Sequence, residues 1–115
     1  MEVIGDEYRV WYKPSDASIF CQGSLRLAGM DEYAPIVDLL DNVIKEKPQQ
    51  ILLNLCELEF LNSSGINVLS KFVIKIRQQE SIKIIVRGSE AIPWQRKSLK
   101  NLQRLMSSLT LEWQS

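Results

Sequence analysis

The run Phe60-Leu61-Asn62-Ser63-Ser64-Gly65-Ile66 sets two hydroxyls and a glycine between an apolar stretch, Ile51 to Cys56, and an amphipathic one that follows. That order reads as strand, turn and helix start. Open parallel sheets collect binding and regulatory sites at such junctions. A helix start also carries unpaired N–H groups and a positive dipole end, which suit a phosphate or carboxylate. Two chemistries fit these residues. In one, Asn62 shapes the turn through its side chain, a serine caps the helix for about 1 kcal/mol, and Gly65 permits a tight turn or a close approach. In the other, Ser64 is a phosphorylation site. A phosphate there adds about −1.5 to −2 of charge, which a helix start accommodates and an acidic docked partner does not.

The rest of the composition removes several alternatives. The 115 residues contain no histidine, so a Ser-His-Asp triad, histidine acid–base chemistry and histidine metal ligation are absent. The glycine two residues before the serine of a G-x-S-x-G elbow is missing as well, which argues against a serine hydrolase. Cys21 and Cys56, far apart and each in a strand-like run, are too few for a structural zinc site and read as buried free thiols. Fourteen basic residues balance fourteen acidic ones, so the basic excess that general nucleic-acid binding requires is lacking. No apolar run approaches the ~20 residues that span a bilayer, and the acidic start Met1 to Glu7 is neither a signal nor a transit peptide. A non-enzymatic, cytoplasmic protein without cofactor or metal is the expectation.

The elements that must hold the junction follow from periodicity. Residues 1–115 read as one domain, with residues 1–7 a loosely ordered N-terminus. Tyr8 to Lys13 is aromatic and β-branched and reads as a strand. Pro14 to Ala17 is a turn, and Ser18 to Leu27 a second strand that forms a hairpin with the first, interrupted at Gly23 by a bulge or a close backbone approach. Asp31 to Lys47 has Tyr33, Ile36, Val37, Leu40, Val43 and Ile44 at helical spacing, with Pro35 fitting in its first turn. Ile51 to Leu58 reads as a strand covered by helices on both faces. Ser64 to Gln79 is a second helix with a stripe of Ile66, Leu69, Phe72, Val73 and Ile76. Ile82 to Val86 is a strand, Ile92 to Ser107 a third helix, and Leu109 to Trp113 a short last strand. This order predicts an α/β fold: a mixed, mostly parallel sheet with an N-terminal hairpin and about three covering helices.

The stretch Asn54-Leu55-Cys56-Glu57-Leu58-Glu59-Phe60-Leu61-Asn62-Ser63-Ser64-Gly65 resembles the central motif of STAS domains, which include bacterial anti-sigma factor antagonists and the cytoplasmic domains of sulfate transporters. The motif has the form D-x-S-x-x-x-x-[ILM]-D-S-S-G followed by an apolar helix. Phe60, Leu61, Ser63, Ser64 and Gly65 match it, the following Val68 and Leu69 fit, and the element order extends the resemblance over nearly the whole chain. Asn54, Cys56 and Asn62 depart from it, standing where the family carries aspartate, serine and aspartate. The resemblance implies a regulatory protein-binding module in which Asn62, Ser63, Ser64 and Gly65 meet the partner. It also implies that Ser64 is phosphorylated by that partner, a serine kinase acting as an anti-sigma factor, and restored by a phosphatase. Because Asn62 carries no charge, a partner that reads the aspartate would be lost or changed. The runner-up is a ligand-sensing or constitutive interaction module on the same fold.

Outside the junction, Trp94 reads as a cap over the core edge or a partner anchor. Trp11 reads as buried in the core or in a dimer, with a solvent-facing edge position as the alternative. Arg96, Lys97, Lys100 and Arg104 form a solvated helix face or an acidic-partner surface. Glu57 and Glu59 suit a strand end.

Overall fold

The computed structural model describes residues 1–115. In chain order they form β1 (Glu2–Ile4), β2 (Tyr8–Lys13), β3 (Ser18–Leu25), α1 (Gly29–Lys45), β4 (Gln50–Leu61), α2 (Ser63–Gln79), β5 (Lys83–Ser89), α3 (Gln95–Leu105) and β6 (Thr110–Gln114), with one 3-10 turn at Pro14–Asp16. The six strands make one sheet in sequence order, antiparallel across β1-β2-β3 and parallel across β3-β4-β5-β6. This is the expected mixed sheet with an N-terminal hairpin and three helices. No helix is long and apolar enough to cross a membrane.

Each helix links two neighbouring parallel strands, and each link advances one strand in the same direction. Right-handed crossovers then place all three helices on one face. Burial agrees with this. Val10, Tyr12, Ile19, Leu53, Leu55 and Val86 pack with the helix stripes into one core cluster, whereas their strand neighbours facing the other way, Ser18 excepted, are half-buried or exposed. The expectation that β4 is covered on both faces is therefore corrected: it is covered on one.

Two further expectations are corrected. Residues 2–4, within the segment expected to be loosely ordered, pair with β2 in the register Val3↔Val10. Pro35 lies in the second turn of α1, because the helix starts at Gly29. Its missing N–H removes one bond to the helix, on a side where Pro35 is exposed. Gly23 is a close backbone approach, as one reading held. Its φ is +89°, and a Cβ there would run into the Glu7 carbonyl.

The strand β4 is longer than its neighbours and carries two irregularities. Its pairing with β3 shifts between Phe20↔Asn54 and Gln22↔Glu57, and again between Gly23↔Leu58 and Ser24↔Phe60. Each shift inserts one residue and re-aims side chains. Leu55, Leu58 and Leu61 thus face the core three residues apart, while Glu57, Glu59 and Phe60 are exposed.

Past Asn54, β4 has no neighbour on the β5 side, so its carbonyls need other donors. Gln95, fully buried, supplies them. Its Nε2 donates to Leu55 O at 2.7 Å and Leu58 O at 3.0 Å, and its Oε1 accepts from Ser89 N at 2.8 Å. Trp94 Nε1 donates to Glu59 O at 2.9 Å. One carboxamide and one indole thus stand in for a missing strand, and Trp94 caps the core edge.

Removing a buried partner costs about 1–3 kcal/mol per orphaned group. Gln95→Ala is expected to lower unfolding stability by about 3 kcal/mol or more in urea titrations, whereas the exposed Gln78→Ala stays within about 0.5 kcal/mol. The cysteines are both free. Burial pushes the Cys21 thiol from 9.0 up to about 12. A raised thiol pKa contributes stability that is complete below the unfolded value and is lost as pH rises toward the folded one. Stability is expected to fall above about pH 9, with a shallower slope in Cys21→Ala.

Candidate functional site

The junction between β4 and α2 is built around the Asn62 side chain. Asn62 is the N-cap of α2, with extended backbone, and its Oδ1 accepts from Gly65 N at 2.9 Å. The same oxygen lies 2.7 Å from the Tyr33 hydroxyl, a closer acceptor for that single proton than Leu25 O at 3.2 Å. The Asn62 Nδ2 donates to Leu27 O at 2.8 Å. Burial holds the Tyr33 phenol above its usual range, so it remains a donor. The amide of Asn62 therefore joins the start of α2 to α1 and to the end of the β3–α1 connection. A carboxylate could accept the first two bonds but not make the third.

This assigns the helix cap to Asn62. The serines follow it as the first two helical residues. Ser63 is exposed and Ser64 half-buried, and neither hydroxyl has a hydrogen-bond partner within the chain. The first turn holds no acidic residue, so its positive dipole end is not neutralised from within. Gly65 is buried in helical backbone. A Cβ there would overlap the Leu61 side chain and lie 2.7 Å from the Tyr33 hydroxyl. Its glycine identity reflects close packing rather than a turn.

The four residues Asn62, Ser63, Ser64 and Gly65 thus divide by role. Asn62 and Gly65 build the junction from inside, and Ser63 and Ser64 present it to solvent. Three exposed residues at this end of the sheet were not assigned a role from the sequence, and Phe60, paired with Ser24, points to the face away from the helices. Phe60 is 42% exposed and Met30 is 43% exposed, among the few large apolar side chains that are. The Arg26 guanidinium lies 5.0 Å from the centre of the Phe60 ring. A signal for Phe60 existed in the sequence: an aromatic directly before the N-cap region of a strand whose inward positions were already filled by Leu58 and Leu61.

The other candidates lie elsewhere. Glu57 and Glu59 sit on the outward bulges of β4. Lys97 and Lys100 are exposed on α3, and Arg96 approaches Glu90 at 3.9 Å and the Trp113 ring at 5.5 Å. No three histidine, cysteine or acidic side chains converge to hold a metal.

Loss of an N-cap costs about 0.5–2 kcal/mol, and an unpaired buried donor or acceptor about 1–3 kcal/mol more. Asn62→Ala is expected to lower stability by about 2–3 kcal/mol. Asn62→Asp, which keeps the cap but not the donor to Leu27 O, is expected to lose about 1 kcal/mol. Gly65→Ala overpacks Leu61 and Tyr33 and is expected to cost about 1–3 kcal/mol. Thermal unfolding followed by circular dichroism gives all three, and an Asp variant as stable as the parent would contradict the role assigned to Nδ2.

No protein-family model and no curated protein sequence matches the chain. Solved structures do. A chain of the complex between the diguanylate cyclase SiaD and its activator SiaC from Pseudomonas aeruginosa matches with a TM-score of 0.76 at 9% identity, covering 99% of each chain. SiaC alone matches with a TM-score of 0.75 at 10% identity over 99% of this chain and 96% of that one. Apo-SiaC gives 0.74 at 11% identity over 100% and 98%. At this identity the likeness establishes a shared α/β fold across nearly the full chain.

Proposed function

We propose that this protein is a non-enzymatic regulatory module of the cytoplasm that binds a protein partner through the start of α2, and that phosphorylation of Ser64 switches the binding. The observation that carries this reading is the division of labour at the junction. Asn62 and Gly65 hold the backbone without help from the serines, so the Ser63 and Ser64 hydroxyls are left unbonded within the chain. A phosphate on Ser64 would meet a helix start with no acid in its first turn, so the fold tolerates it. The same charge on a docking surface would have to be desolvated against the partner.

The partner surface comprises Ser63, Ser64 and the junction formed by Asn62 and Gly65, with Phe60 as its apolar anchor. The kinase would be the partner itself, in the manner of anti-sigma factors, and a phosphatase would reverse it. SiaC, whose fold this chain shares, is the activator of a diguanylate cyclase and is seen in complex with it. Regulation by docking on a protein partner is thus a use to which this fold is put. Asn62 spends its side chain inside the domain, so the partner reads serine and aromatic groups rather than a carboxylate.

The test is phosphopeptide mass analysis of the protein from its own cells with phosphatase inhibitors, together with co-purification through an affinity tag. Phosphate is expected on Ser64. A partner retained by Ser64→Ala is expected to bind Ser64→Asp at least about tenfold more weakly, about 1.4 kcal/mol, and Phe60→Ala is expected to weaken it by a similar factor. Phosphate absent under every growth condition would sink the switch, and a partner indifferent to both variants would sink the docking surface.

A further inference from the structure

The sheet face opposite the helices carries the strongest unassigned feature. A sheet face left to water normally turns polar side chains outward. Here Trp11 and Phe20, directly paired across β2 and β3, stand on it with their rings stacked at 5.1 Å and 12°. The Arg9 guanidinium lies 4.0 Å from the Trp11 ring centre. Leu52 and Ile85, paired across β4 and β5, continue the apolar centre. All four large side chains are half-buried, while Arg9, Lys13, Gln22, Thr110 and Gln114 at the margins are exposed. An apolar centre with a polar rim is the anatomy of a protein–protein interface.

Most charges on this face are matched within the chain, and the two that are not, Glu57 at the hollow and Lys83 at the margin, are one of each sign. Arg9 pairs with Glu2, Lys13 with Asp16 at 3.1 Å, and Arg87 with Glu112 at 2.9 Å. A face of this kind offers no free positive field to a polyanion. It is instead compatible with a copy of itself, because neither sign is in excess. Its relief is also self-matching. Beside the Trp11–Phe20 ridge lies a hollow of about 270 Å³ lined by Asn54, Cys56, Glu57 and Gln114. A two-fold axis lying along the strands, between two such faces, puts the ridge of each copy over the hollow half of the other, as an isologous contact requires.

We propose that this open face is the interface of a homodimer, formed by face-to-face packing of two sheets about the Trp11–Phe20 ridge. Five strands about 4.8 Å apart and about five residues deep span roughly 24 Å by 17 Å. That footprint of roughly 400 Å² on each copy, enlarged by side-chain relief, falls below standard-size interfaces and in the range of weak, transient ones. The dimer is therefore weak and reversible. It leaves the start of α2 outside the interface, so self-association and partner docking use separate surfaces.

Sedimentation velocity of the full chain from about 5 to about 500 µM tests this. The mass is expected to rise from the 13.3 kDa monomer toward twice that value. Trp11→Glu is expected to raise the Kd at least tenfold, and Ile85→Lys, which perturbs the other half of the face, to do the same with the circular dichroism spectrum unchanged. Lys100→Glu and Ser64→Asp are expected to leave it unaltered, which separates this proposal from the docking of a partner. A monomer at the highest concentration would overturn it and leave the face to a different protein. A dimer that persists in a folded Ile85→Lys variant would overturn it in favour of another surface.

Discussion

Every helical connection in this chain advances by one strand in the same direction, and handedness does the rest. A right-handed crossover from a right-twisted strand returns on one side only, so α1, α2 and α3 stack on a single face and the core has two layers. Most other features follow. Tyr12, Ile19 and Leu53 are buried because they face the helices, and Trp11, Phe20 and Leu52 are half-exposed because they do not. The fold thus produces two unlike surfaces from one alternating pattern: an open sheet face, and a helix layer whose second member begins at the serine pair.

Two neutral carboxamides hold the ends of the central strand. Gln95 stands beside β4 where β5 has diverged, donating to two carbonyls and accepting from one amide. Asn62 stands at the tip of β4, accepting from Gly65 N and Tyr33 while donating to Leu27 O. Each position requires donor and acceptor in one side chain, and neither tolerates a formal charge without desolvation. These bonds connect non-adjacent elements, so the geometry around the serine pair is set from within the domain. The hydroxyls of Ser63 and Ser64 contribute nothing to that scaffold.

This separation has a physical consequence for regulation. A modification can act on binding without acting on stability only where the modified group is not already holding the fold together. Ser63 and Ser64 meet that condition; Asn62 and Gly65 do not. The same reasoning places the apolar open face apart from the serine pair, since its side chains stand on the opposite side of the sheet from α2.

The sequence by itself determined the elements and their order. Periodicity located three helices and five of the strands within a few residues, because stripes such as Tyr33-Ile36-Leu40-Val43 depend only on local geometry. It also identified the β4–α2 junction as the place to look, through the strand-to-helix change and the Asn62-Ser63-Ser64-Gly65 run. What it could not decide were properties of neighbours distant in the chain. The short strand at Glu2–Ile4 has too few residues to show a period and is defined by its pairing with β2. The continuous apolar character of β4 looked like two covered faces, but two bulges and a one-sided helix layer divide it differently. Whether a serine or Asn62 caps α2 turned on Tyr33 and Leu27, about thirty residues away. Gly65 suggested a tight turn or a close approach, and the packing of Leu61 and Tyr33 decides for the second, leaving a methyl group no room there. Local pattern is written along the chain, whereas donors, acceptors and excluded volume are shared between segments that meet only when it folds.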